Sequence, residues 1–151
     1  DFPVSDFAVI TGIESMQMDA VMELLKTTHW AAHRTEAQER LAMEHSCCYG
    51  AVCCKTGKQV AFARVVSDLV RFSWVGDVFI LQEYRGRGLS KWLMSVITEH
   101  PKLKGTGFQL ATKDAHSLYA QYGFKPLEQI ENRMNRPLDW EVINKGYELN
   151  E

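Results

Sequence analysis

Residues 79 to 90 read Phe-Ile-Leu-Gln-Glu-Tyr-Arg-Gly-Arg-Gly-Leu-Ser, an apolar strand that runs through a basic, glycine-punctuated turn directly into a helix. The chemistry such a junction supports is anion binding. Gly86 and Gly88 remove side chains where a ligand must approach the main chain. The N–H groups of Arg85, Gly86, Arg87, Gly88, Leu89 and Ser90 can then converge on one phosphate at a helix start, where the partial positive charge of the helix end favours an anion. Arg85, Arg87, Lys91 and Lys113 are the cations in reach of such a group, and Arg87, projecting beside the turn, is the first choice among them. For Lys113 a solvated surface charge is the better reading.

The elements that must position this turn are legible on both sides of it. Leu89, Trp92, Leu93, Val96 and Ile97 recur at helical spacing, and Pro101 follows the helix end. Upstream, Cys47 to Cys54 and Gln59 to Ser67 are apolar runs joined by the turn Lys55-Thr56-Gly57-Lys58, which predicts a β-hairpin. A polar break at Ser67-Asp68 precedes a further strand ending at Leu81. Met18, Val21, Met22 and Leu25 predict a helix over 16–26 with Ser15 as its N-cap, and Thr35 with Gln38 predicts a capping box opening a second helix that runs to Glu44. After the central helix, Phe108 to Ala111 reads as a short strand and Thr112 to Tyr122 as a short helix ended by Gly123, with a final hairpin expected over 124–136. Trp74, Trp92 and Trp140 read as packing residues.

With 151 residues, 46% of them hydrophobic and 24% charged, the whole span 1–151 is expected to form one domain with its own core and no need of a metal or disulfide staple. A net charge of −2 lacks the positive field of nucleic-acid proteins. No apolar run approaches the roughly 20 residues of a bilayer span, and Asp1 to Asp6 lack the basic start of a secretory signal, so a cytoplasmic protein is expected. The cysteines come as the adjacent pairs Cys47-Cys48 and Cys53-Cys54. Neighbours in a strand point to opposite faces, so these are expected to be small buried hydrophobes and no metal site is expected.

Two motifs carry a family resemblance. Glu83-Tyr84-Arg85-Gly86-Arg87-Gly88 resembles the Gln/Arg-x-x-Gly-x-Gly/Ala pattern of the GNAT superfamily of acyl-coenzyme A-dependent N-acetyltransferases, with Glu83 departing at the first position. Ala115-His116-Ser117-Leu118-Tyr119-Ala120-Gln121-Tyr122-Gly123-Phe124 resembles the family's Ala-x-x-x-Tyr-x-x-x-Gly-Phe ending, with Thr112 where Asn is frequent. The resemblance implies an α/β fold with a mixed, largely antiparallel central sheet flanked by about four helices.

It also implies transfer of an acetyl group from acetyl-CoA to a primary amine of a small molecule or amino-acid-like acceptor, by a monomer or homodimer. The pyrophosphate would sit on the N–H groups from Arg85 to Ser90. The pantetheine would run along the strand edge at Phe79, Ile80 and Leu81, with a main-chain N–H at Ile80 or Leu81 facing the thioester oxygen. Tyr119 would be the general acid for the departing thiolate. Read without the motif, Tyr119 falls on the apolar stripe Ala115, Leu118, Tyr119 and Tyr122 and is a core residue. For the base, Asp77 is the first candidate, with His116, Glu36, His29 and His33 behind it. A competing class is an acyl-CoA-binding sensor that kept the fold and lost efficient transfer. A generic nucleotide loop is disfavoured, because Gly-x-x-x-x-Gly-Lys-Ser/Thr and a full Gly-x-Gly-x-x-Gly are both absent from the chain.

Overall fold

The computed structural model describes residues 6–28 and 31–148. Five strands, β1 (Phe7–Thr11), β2 (Cys47–Cys53), β3 (Gln59–Ser67), β4 (Phe72–Ile80) and β5 (Gly107–Leu110), form one sheet in the order β1-β2-β3-β4-β5. The first four are antiparallel neighbours and β5 runs parallel to β4. Among the described residues the helices are α1 (Met18–Lys26), α2 (Glu36–Glu44), α3 (Leu89–Glu99), α4 (His116–Ala120) and α5 (Trp140–Glu148). The fold is therefore mixed α/β with a largely antiparallel sheet, as the resemblance implies.

Gln59 to Ala63 are all buried along β3. Consecutive strand residues point to opposite faces, so this unbroken run means that helices cover the sheet on both sides. Val21, Leu24 and Leu25 of α1 and Leu89, Leu93, Met94 and Ile97 of α3 supply that cover. Truncating a side chain as enclosed as Phe62 costs about 3–5 kcal/mol in such a core.

Several expectations need correction. The first helix starts at Met18 and is capped by Gln17, while Ser15 ends a 3-10 turn over Ile13–Ser15. The reason lies on β3: the Gln17 N–H donates to Gln59 Oε1 at 2.8 Å and the Gln59 N–H donates to Gln17 Oε1 at 2.9 Å, which fixes the helix entry there. Strand β1 has no counterpart in the sequence reading. It pairs Ile10 with Gly50 and completes the sheet on the β2 side. The short helix is only His116–Ala120, because the Thr112 hydroxyl accepts the Ala115 N–H at 3.1 Å and occupies the first turn of the expected helix.

No hairpin forms over 124–136. That segment carries a single 3-10 turn, Ile130–Asn132, entered through Gln129 at φ 53. Pro126 and Pro137 lack the N–H a ladder requires. Instead the chain continues to α5, whose start is set by Asp139 Oδ1 accepting the Val142 N–H at 3.1 Å. The capping box at Thr35 and Gln38 is present with both reciprocal bonds. The four cysteines are unpaired: Cys48 and Cys53 are buried, Cys47 is half-buried and Cys54 is exposed. Burial pushes the Cys48 thiol up to about 11. No group of metal-ligating side chains occurs among the described residues.

Candidate active site

Strand β4 is paired with β3 along its length but with β5 only from Phe72 to Val75. The ladder with β3 slips between Arg64 and Val65, so Gly76 is the extra residue of a bulge. Past that bulge, from Gly76 to Ile80, one edge of β4 has no strand beside it among the described residues. The Leu81 N–H donates to the Val60 carbonyl at 2.9 Å, and alternation of an antiparallel ladder then turns the polar groups of Phe79 toward β3 and those of Val78 and Ile80 toward the open edge. Of the main-chain donors expected at Ile80 or Leu81, only that of Ile80 faces the opening.

At the end of β4 the chain makes a 3-10 turn, Gln82–Tyr84, and reaches α3 through Gly86 and Gly88, both left-handed at φ 78 and φ 82. The Arg85 N–H closes that turn onto the Gln82 carbonyl at 3.2 Å and is not available to an anion. The first intrahelical bond of α3 is Trp92 N–H to Gly88 carbonyl, so the N–H groups of Leu89, Ser90 and Lys91 lie ahead of the ladder, and α3 has no side-chain cap.

A groove of about 500 Å³ joins these features, lined by Val78, Phe79 and Ile80 of β4, by Arg85, Gly86, Gly88, Leu89, Ser90 and Lys91, and across from them by Thr27 and Thr28 at the end of α1. Most of the residues expected to hold a cofactor are thus brought together. Two are not. Leu81 is buried outside the groove, and the Arg87 guanidinium lies over the Tyr84 ring at 5.1 Å with Nη2 donating to the Glu83 carbonyl at 3.3 Å. Arg85 is the arginine that borders the groove, its Nε donating to the Ile80 carbonyl at 3.2 Å. The sequence reading missed Thr27, Thr28, Val78 and Tyr84. Val78 follows from strand alternation once the open edge is known, whereas the α1 residues reach the groove only through tertiary packing.

The residues fit a coenzyme A tail. A Cβ built on Gly86 would meet nothing within 4 Å, so the main chain there is open to a ligand. Uncapped helical N–H groups and two cations, Arg85 and Lys91, border the same space.

Tyr119 lies elsewhere. It lines a second cavity of about 1280 Å³ between α3, β5 and α4, where its ring meets Phe124 edge-on at 5.9 Å. Burial raises its phenol above the ordinary value. The hydrogen bond from Tyr122 to the Lys91 carbonyl ties this cavity's wall to the groove's.

Asp77 is not a free base. It is 3% exposed, with Oδ1 accepting from Arg34 Nη2 at 3.3 Å and Oδ2 from Arg34 Nη1 and Arg64 Nε at 3.0 Å each. Of the other candidates, Glu36 faces Arg40 on the surface of α2 at 3.7 Å. His33 packs edge-on against Trp140 at 4.5 Å, which makes Trp140 the packing residue expected. His116 borders the second cavity, and His29 lies outside the described residues.

Comparison with known proteins agrees with this geometry. The profile of the Acetyltransferase (GNAT) domain matches residues 44–126, from the end of α2 to just past α4. A crystal structure of a candidate GNAT-family acetyltransferase from Xanthomonas campestris pv. campestris is 41% identical and superposes with a TM-score of 0.84, covering 91% of this chain and 96% of that one. A candidate acetyltransferase of Gibberella zeae is 25% identical over a 112-residue alignment that covers 62% of this chain and 63% of that protein's length. An aminoglycoside N-acetyltransferase solved with CoA shares the fold at 15% identity, with a TM-score of 0.65 over 87% of this chain and 94% of its own. The chain belongs to the GNAT acetyltransferase family.

Proposed function

We propose that this protein is an N-acetyltransferase that moves an acetyl group from acetyl-CoA directly to a primary amine of a small molecule or amino-acid-like acceptor. The observation that carries the reading is the groove itself, where an unpaired strand edge at Val78 and Ile80 leads to uncapped N–H groups at Leu89, Ser90 and Lys91. An extended chain of amides can add to the first and a pyrophosphate can sit on the second.

Acetyl-CoA would supply the acetyl group already activated as a thioester. The chain's own residues bind, orient and move protons. Gly86, Gly88, Leu89 and Ser90 would hold the phosphates through main-chain N–H groups, with Arg85 and Lys91 adding charge. The Ile80 N–H, on the open edge, would donate toward the thioester carbonyl oxygen as charge develops there. Tyr119, its phenol raised by burial and so protonated at neutral pH, would be the proton donor to the departing sulfur. With Asp77 held by two arginines, amine deprotonation falls to another group or to water. The four unpaired cysteines fit a reducing cytoplasm.

A second reading, a CoA-binding module without efficient transfer, draws on two observations: Tyr119 lines a cavity apart from the groove, and Asp77 is fully engaged. One experiment separates them. Calorimetric titration with CoA should give saturable heat under either reading, and with acetyl-CoA plus a panel of primary amines free thiol should then appear only when an amine is present. Binding without acceptor-dependent thiol release supports the module, and no binding at all rejects both.

A further inference from the structure

Two carboxylates and two guanidiniums are packed together between α2 and the sheet. Arg34 Nη1 donates to Glu39 Oε2 at 3.2 Å and to Asp77 Oδ2 at 3.0 Å, Arg34 Nη2 reaches Asp77 Oδ1 at 3.3 Å, and Arg64 joins Asp77 Oδ2 to the Ser46 hydroxyl, both at 3.0 Å. Glu39 is wholly buried on the first turns of α2, and its Oε1 has no hydrogen-bond partner among the described residues. Such an orphan oxygen costs free energy of folding. Arg34 thus holds two buried carboxylates at once, Glu39 from α2 and Asp77 from β4.

Arg34 stands in the segment 31–35 that leads into α2. Its N–H turns back onto the Ala31 carbonyl at 3.0 Å, and the Ala32 N–H donates to the Thr28 carbonyl at 3.0 Å. Thr28 and Thr27 form one wall of the groove. At the other end of the segment the Arg34 guanidinium grips Asp77, the residue between the bulged Gly76 and Val78, where the groove's β4 wall begins. A cofactor with its phosphates on the Gly86–Ser90 turn would run back along β4 from Ile80 toward Val78, which would place its acyl end toward Asp77. An acceptor must come to that end, beside segment 31–35.

We propose that Arg34 is a positioning residue for the acceptor: backed by Glu39 and clamped on Asp77, it fixes segment 31–35 against β4 and so sets the affinity for the amine and not for coenzyme A. The proposal rests on the acetyltransferase reading. Arg34 is not itself a receptor for an acceptor carboxylate, because two cations and two anions already balance and its side chain is only 17% exposed. Burial, with the nearby Asp77 charge adding to it, raises the Glu39 carboxyl, while Arg34 and Arg64 oppose the rise. Groups facing Glu39 are Arg34 from the segment, Asp77 from β4, Arg64 from β3 and the Cys48 thiol from β2, itself raised by burial. As pH falls Glu39 takes up a proton, and Arg34 is left with Asp77 as its one charged partner.

The test compares wild type with Arg34→Lys, which keeps the charge but loses the planar fork, and with Glu39→Gln, which keeps the shape. The probes are CoA by calorimetry, spermidine, tyramine and free lysine as acceptor amines in the thiol assay, and hydrogen exchange of residues 31–35. Arg34→Lys should raise KM for the amine about ten-fold or more, leave the CoA Kd within about two-fold, and speed exchange at 31–35. Glu39→Gln should do the same more weakly and remove the part of the acid limb of kcat/KM that Glu39 contributes. Loss of CoA affinity in step with amine affinity would overturn the proposal, as would unchanged KM and exchange in a folded Arg34→Lys protein. If wild type acetylates no amine, the enzyme reading fails on its own, and exchange at 31–35 with the CoA titration still decides the clamp.

Discussion

The Tyr122 hydroxyl donates to the main-chain carbonyl of Lys91 at 2.8 Å, across 31 residues of sequence. Lys91 lines the groove and Tyr122 lines the cavity beside it, so this one bond ties the turn after α4 to the first turn of α3, where the uncapped N–H groups stand. It is a neutral hydrogen bond near the surface, worth about 0.5–1.5 kcal/mol. Tyr122→Phe is expected to lower the urea midpoint by a corresponding amount and to weaken CoA binding a few-fold by loosening the turn. Unaltered urea and calorimetric curves would show that the tether carries no weight.

Gly86 offers a sharper probe of the groove. Its φ of 78 is a conformation that a side chain disfavours by about 1–2 kcal/mol, although a Cβ there would touch nothing within 4 Å. Gly86→Ala therefore acts through the backbone and not through a clash. We expect CoA affinity to fall about ten-fold while the fold survives with a melting temperature lower by a few degrees. Equal CoA affinity in wild type and variant would separate this turn from the cofactor.

How much of this was legible beforehand follows from which forces are local. The strand, the two-glycine turn and the helix at 79–99 are written in adjacent residues, as is the capping box at Thr35 and Gln38, and all appear in the structure. Strand β1 was invisible because its place is set by pairing with Cys53 back to Tyr49, more than 35 residues away. The same holds for Thr27 and Thr28 in the groove wall, and for Asp77. The first candidate for the base, it stands within β4, and nothing near it in sequence announces that Arg34 and Arg64 converge on it. The C-terminal hairpin failed for the opposite reason: Pro126 within the segment and Pro137 just past it argue locally against a ladder.

The tip between β3 and β4 is held by Asp68, whose Oδ1 accepts the N–H groups of Arg71, Phe72 and Val70 at 2.8, 3.0 and 3.0 Å. These donors pull its carboxyl from the usual 3.8 down to about 2. A carboxyl depressed in the folded state contributes stability that is present above the unfolded value and is lost as pH falls toward the folded one. Melting temperature should therefore drop between about pH 4 and pH 2 in wild type, and Asp68→Ala should start lower at pH 7 and show a shallower slope in that window. Parallel profiles for the two proteins would remove Asp68 from the acid response.

Tyr119 is the residue on which the proposed chemistry and a purely structural role diverge most. Packed edge-on with Phe124, it would lose little stability on removal of the hydroxyl, since no partner to that oxygen lies among the described hydrogen bonds and the ring contact persists. A proton donor, by contrast, is missed only in the chemical step. Tyr119→Phe should therefore lower kcat by ~10² or more, with CoA affinity and melting temperature close to wild type. With its phenol raised by burial, the donor remains protonated through neutral pH, so any alkaline limb of kcat that belongs to it should lie above the ordinary tyrosine range and vanish in the variant. Full turnover by Tyr119→Phe at saturating amine would return Tyr119 to the aromatic core and leave the thiolate to be protonated by solvent.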